Sequence, residues 1–264
     1  MTATWLADVA AADPLIVIAV LVRMAAAVGV GVLPITSGVG ARIQMALVLA
    51  LTIVAVPAAA ASADAAVCSR PALLVVAGEA VVGLVLGLAT AAVLAAAAWA
   101  GTLLGSVTGL SWADDFTPDG EGTTAGVSRL AWWLGLSGFL AAGGHLEVIA
   151  GLVDSLRMVP IGAAFTAGGR VAPGLEHVGF VMPSLAMSLA LSLAVPALTA
   201  VLACHLAAVI CVRTVGFDPG QGLLQAAASL VLLAAICLGA EAWMGGFATA
   251  VEVPLERIFH DVRR

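Results

Sequence analysis

Six apolar stretches, each near the ~20 residues that a helix needs to cross hydrocarbon, divide this chain and limit what it can fold into. They run approximately over Pro14–Pro34, Ile43–Ser62, Ala72–Trp99, Leu130–Val153, Val178–Val212 and Gly222–Ala250. Short joints rich in Gly, Pro, Ser and Asp separate them. Inside a bilayer each backbone N–H and C=O must be satisfied within its own segment or in a closed barrel. The period-two alternation of a barrel is missing, so an all-α membrane protein is expected, with its helices arranged as long hairpins. Residues 1–264 read as a single integral-membrane domain.

Charge supports the same reading. Only 10% of residues are charged and 62% are hydrophobic, whereas a soluble domain is nearer a quarter charged because its surface faces water. All ten basic residues are arginines, and the net charge of −6 forms no basic patch. Nucleic acid is therefore not an expected partner. Residues Met1 to Pro14 carry Asp8 and Asp13 and no basic residue. They lack the positive start of a cleaved signal peptide, so the first apolar stretch is expected to stay in the mature protein. Arginines at alternating joints leave the membrane orientation undecided. The four cysteines have neither a CxxC pair nor zinc spacing, which points away from redox or metal chemistry.

Two stretches are too long for simple spans. Apolar patterning from Ala72 continues to about Leu110, and as one helix it would reach ~60 Å at ~1.5 Å per residue. The stretch from Val178 contains Pro183 and Pro196, each expected to kink or break a helix. These segments either fold back as hairpins or extend beyond the bilayer. Breaks are expected near residues 101–126 and near Pro183 or Pro196.

The first of these stretches also carries two small-residue faces. Gly83, Gly87, Ala91 and Ala95 recur every four residues, as do Ala97, Gly101, Gly105 and Gly109. That spacing places each set along one helix face, where another backbone can approach closely. Gly83, Gly87, Gly101 and Gly105 are accordingly expected to be packing positions, either within the chain or against other membrane subunits.

Charges inside apolar stretches are costly and become the first functional candidates. They are Arg23, Glu79, Glu147 and Glu241. Arg23 and Glu79 are expected to pair with each other, a charge-swapped double variant being the direct test. His145 and Glu147 stand two apart, on different helix faces, and form no dyad. No nucleophile–base set, phosphate loop, cofactor motif or metal spacing is recognisable, so no catalytic activity and no cofactor are expected. A small secondary transporter using Arg23, Glu79 and Glu241 is one alternative, but it predicts inverted repeats, which the halves do not display. A membrane scaffold is another.

Residues 109–126, GLSWADDFTPDGEGTTAG, differ in kind from every other joint. Four acidic residues and four glycines surround two bulky apolar ones, Trp112 and Phe116. A joint of this length is often functional.

Several runs now resemble one family, that of FliR, the flagellar membrane protein of the type III export gate, with SctT its injectisome counterpart. The most specific is Gly144-His145-Leu146 followed by Asp154-Ser155-Leu156-Arg157-Met158-Val159-Pro160-Ile161-Gly162. Glu79 ahead of Gly83 and Gly87 is also similar, as are Gly101, Gly105 and Gly109-Leu110-Ser111, and the spacing of Pro196, Leu206 and Arg213. The similarity spans the chain in order. Departures include Asp115-Phe116-Thr117-Pro118 where the family has Asp-Pro, His205 where it has Asn, and Thr214 to Gln221 in place of its Ala-Pro-Gln run.

The resemblance implies a non-enzymatic, multi-pass inner-membrane protein of the flagellar basal body. It would assemble with FliP- and FliQ-like subunits, alongside FlhB- and FlhA-like export components, into a channel for unfolded flagellar subunits. The loop holding Gly109, Leu110, Ser111, Trp112, Phe116 and Pro118 would be its plug. The injectisome gate is the alternative setting.

Overall fold

The computed structural model describes residues 13–30, 41–62, 71–109, 126–164, 173–215 and 220–261. Every element among them is an α-helix: α1 Pro14–Val30, α2 Ala41–Ser62, α3 Ala72–Thr108, α4 Gly126–Ala141, α5 Gly144–Met158, α6 Pro173–Val215 and α7 Gly220–Asp261. Chains this rich in Ala, Leu and Val have few polar side chains to compete for the backbone, so each segment closes its own hydrogen bonds. Local chemistry marks the starts. Leu15 N donates to Asp13 Oδ1 at 2.9 Å, which caps α1 ahead of Pro14, whose missing N–H costs nothing in a first turn.

Among the described residues, four helices are long and apolar enough to cross a membrane: α2, α3, residues Val181–Thr214 of α6 and Gly222–Gly239 of α7. The α4–α5 pair would make a fifth if its two parts count as one broken span. α1 is a shorter apolar helix.

Two expectations are corrected. The apolar stretch Leu130–Val153 is not one continuous helix: it breaks at Ala142–Gly143, between α4 and α5. Gly143 takes φ +77°, a conformation that L side chains rarely adopt, and Gly143 N donates to Leu140 O at 3.1 Å. That is the turn chemistry of a helix C-terminus. Conversely, α6 runs unbroken through Pro183 and Pro196, and α2 through Pro57. Pro183 and Pro196 are both exposed on the helix. The loss of one backbone bond at each leaves the many bonds on either side in place.

The expected break near residues 101–126 does occur, because α3 ends at Thr108 and Gly109 takes φ +73°. With 37 residues, α3 covers ~55 Å of helix axis at ~1.5 Å per residue. This exceeds the ~30 Å hydrocarbon thickness.

Two compact units divide the chain. One comprises Met1–Ala92, His145–Pro183 and Val253–Arg264, the other Val93–Gly144 and Ser184–Glu252. In the first, α1 packs against α2, and the N-terminal half of α3 packs against α1. In the second, the C-terminal half of α3 packs against α4. The two α3 contacts are made at Gly83 and Gly87 and at Gly101 respectively.

Candidate functional site: a buried polar node

The first unit is organised by an approach of two backbones. A Cβ placed on Gly83 would collide with the carbonyl oxygen of Arg23 and lie 3.0 Å from the Cβ of Ala26. One placed on Gly87 would lie 2.8 Å from Ala27 O. Four residues along α3 thus match four along α1 in the same direction, so the two helices run parallel at their contact. Glycine permits this spacing; any larger residue would wedge the pair apart.

That approach brings Glu79, one turn before Gly83, to Arg23. Arg23 Nε donates to Glu79 Oε2 at 2.6 Å, and both side chains are fully buried. Arg23 Nη1 donates to Ser155 Oγ at 3.3 Å and Nη2 to the carbonyl of Val159 at 2.9 Å. The second carboxylate oxygen, Glu79 Oε1, accepts from Gly162 N at 3.0 Å. An arginine fork suits this task, since its planar donors can serve several acceptors at once.

The acceptors have a common origin. Val159 and Ser155 belong to the C-terminal end of α5, where the last carbonyls of a helix lack intrahelical partners and carry partial negative charge. Ser62, at the end of α2, donates through Oγ to another of them, Leu156 O, at 3.0 Å. Ser155 Oγ donates in turn to Leu152 O at 2.7 Å. Pro160 stops the helix, and the chain turns through Gly162 at φ +81°, presenting its N–H to Glu79. Three helices, α1, α2 and α3, therefore supply the side chains that close the end of α5.

A buried ion pair in an apolar setting repays its desolvation only when geometry is good and the remaining polar atoms are satisfied. Here the guanidinium and carboxylate make four hydrogen bonds to named partners. Chemically the arrangement clamps the end of α5 to α1 and α3.

The other sequence candidates lie elsewhere. Glu147 is exposed in the first turn of α5, and Glu241 is exposed on α7; neither joins the node. The Nδ1 of His145 is buried without a hydrogen-bond partner among the described residues. In the second unit, a Cβ on Gly101 would lie 2.6 Å from Ser128 Cα and 2.7 Å from Ala131 Cβ, placing α3 against α4. Ser128 Oγ donates to Ala98 O at 2.9 Å across that contact and lies 3.3 Å from Thr102 Oγ1. Gly105 is also buried. Gly109 ends α3 beside the side chain of Gln225, whereas Leu110, Ser111, Trp112, Phe116 and Pro118 lie outside the described residues.

Sequence reasoning singled out Arg23 and Glu79 but missed Ser62, Ser155, Val159 and Gly162 as their surroundings. A signal for three of these was present: Asp154 to Gly162 was the most specific run in the chain, and Pro160 with Gly162 marked a helix end.

A family model described as bacterial export proteins, family 1, matches residues 15–217, a range from the start of α1 to just past the end of α6. None of the curated proteins searched matches the chain significantly.

Proposed function

The chain belongs to the bacterial export proteins, family 1, the family of FliR and SctT, and on that premise we propose that it is a non-enzymatic component of the flagellar type III export gate. It assembles with FliP- and FliQ-like subunits in the inner membrane, next to FlhB- and FlhA-like components. Together they form the channel for unfolded flagellar subunits, and residues 109–126 close it at rest.

The observation that carries this reading is the family match over residues 15–217. The exposed helices agree with it. Over the most apolar part of α3, 56% of residues are buried within the chain, against 6% in α6 and 11% in α7. Leu202, Leu206, Val209 and Ile210 of α6, with Leu223, Leu230 and Leu238 of α7, present large apolar surface. Surface of this kind is suited to neighbouring subunits as well as lipid.

Copurification from native membranes after mild solubilisation tests the proposal, together with secretion of flagellar subunits by a strain lacking the chain. Recovery with several different membrane partners and loss of secretion are expected. Recovery alone or as a small homo-oligomer, with secretion intact, would overturn it.

A further inference from the structure

Exposed charges on the described parts of the other helices stand singly, as Arg42, Arg129, Arg213 and Glu241 do, whereas α5 carries several on one face. Glu147, Ala150, Asp154 and Arg157 follow one another at spacings of three, four and three residues, which sets them on one helix face. The opposite face, with Val148, Leu152, Ser155 and Leu156, is buried. Glu147 and Ala150 are exposed. Arg157 Nη1 lies 3.4 Å from Asp154 Oδ1, with the two side chains 68% and 47% exposed. Three charges thus stand in line on the outer face of a 15-residue helix, in a chain where only 10% of residues are charged.

The polar node sets the level of that face relative to α1. Ser155 and Val159 are held by Arg23, and Arg23 is near the middle of the 17-residue α1, which carries no other charge. The last turns of α5 therefore lie level with the middle of an apolar helix, not beyond its end. Charges at such a level are costly against lipid and are found facing water or protein. Mutual pairing of Asp154 and Arg157 does not remove this cost, because Arg157 stays exposed and Asp154 about half exposed.

We infer that the Glu147–Ala150–Asp154–Arg157 face of α5 borders the water-filled conduit through which export substrates pass. The inference rests on the proposed gate function and names the surface that serves it. The charges keep the wall wetted, and neither sign dominates it, so a passing unfolded chain meets no strong local attraction.

Cysteine accessibility in the assembled gate provides the test. In a chain with Cys68, Cys204, Cys211 and Cys237 replaced by serine, Ala150→Cys is exposed in native membranes to a membrane-impermeant, charged thiosulfonate reagent. Leu206→Cys on α6 is the apolar comparison, and Glu147→Cys is a second position on the face should the first variant fail to accumulate. Ala150→Cys is expected to label while Leu206→Cys does not, and labelling is expected to be lost when a stalled export substrate jams the gate. Absence of labelling in membranes, or labelling only after the chain is separated from its partners, would overturn the inference, since lipid or a subunit then covers the face. Labelling that a jammed substrate leaves unchanged would also overturn it, because the face then meets bulk water. The gate reading fails separately, if a strain lacking the chain secretes flagellar subunits normally.

Discussion

Gly83 and Arg23 touch through their backbones: the missing side chain of one is the space occupied by the carbonyl oxygen of the other. This contact sets the separation of α3 and α1, and the 2.6 Å ion pair between Glu79 and Arg23 forms one turn away because of it. Helix packing and the polar node are thus one feature, and a fault in either should be felt in the other.

Substitution of Gly83 is expected to be expensive. In Gly83→Ala the added methyl group would meet backbone, which cannot rotate away as a side chain can, and overpacking of this type costs about 1–3 kcal/mol or more. Gly29→Ala is the control, because nothing lies within 4 Å of that position. The thermal midpoint of the solubilised protein should fall in the first variant and hold or rise in the second.

Breaking the pair from one side should be worse. Glu79→Gln or Arg23→Met leaves a fully buried charge without its counter-charge, a loss of about 3–5 kcal/mol. Yield of folded protein by gel filtration measures it, with both variants expected well below wild type.

Exchanging the two charges is not expected to restore stability, contrary to the simple test for an ion pair. Arg23 also donates to Val159 O and Ser155 Oγ, whereas Glu79 accepts from Gly162 N. In Arg23→Glu with Glu79→Arg, a carboxylate would face a carbonyl and a guanidinium would face an N–H. The same gel-filtration assay should place the exchanged protein no higher than the better single variant. Recovery to wild-type yield would mean that the pair acts by charge alone.

Across the α3–α4 contact, close approach should outweigh hydrogen bonding. Ser128→Ala removes the bond to Ala98 O, and interhelical side-chain bonds of this kind average about 0.6 kcal/mol in membranes. Gly101→Leu sets a bulky side chain against Ser128 Cα and Ala131 Cβ, and Gly105→Leu adds the same bulk at a second buried position of α3. Both leucine variants should lose recovery with partner subunits after mild solubilisation, while Ser128→Ala retains it.

For the proposed plug, deletion of Trp112–Thr117 should leave the gate assembled but leaky. A pore wide enough for an unfolded chain conducts ions unless something bulky and apolar fills it, and aromatic side chains can fill and dewet a constriction. Ion conductance or small-solute uptake by cells expressing the assembled deletion variant measures this. Wild-type tightness would make residues 109–126 an ordinary connector.

The sequence by itself determined the properties that depend on neighbours along the chain. Apolar runs with few charges require helices, because in hydrocarbon the backbone has nothing else to bond to. Four-residue spacing of Gly and Ala makes packing faces, and charges as isolated as Arg23 and Glu79 need partners. Tertiary structure decided which surfaces meet. The two faces of α3 look alike in sequence, yet Gly83 and Gly87 receive α1 while Gly101 receives α4, since steric permission does not specify who uses it. Glu147 and Glu241 read like Glu79 as charges in apolar stretches, but only Glu79 is buried, because burial of a charge depends on a donor arriving from a distant segment. Local rules also misjudged the continuity of helices. Pro183 and Pro196 leave α6 unbroken, and the turn at Ala142–Gly143 divides α4 from α5, because the cost of a missing or redirected backbone bond is weighed against contacts along the whole helix. The asymmetry of the node was beyond sequence for the same reason: its acceptors at Val159 and Ser155 and its donor at Gly162 lie more than 70 residues from the side chains they complete, and only packing of α5 against α1 and α3 brings them together.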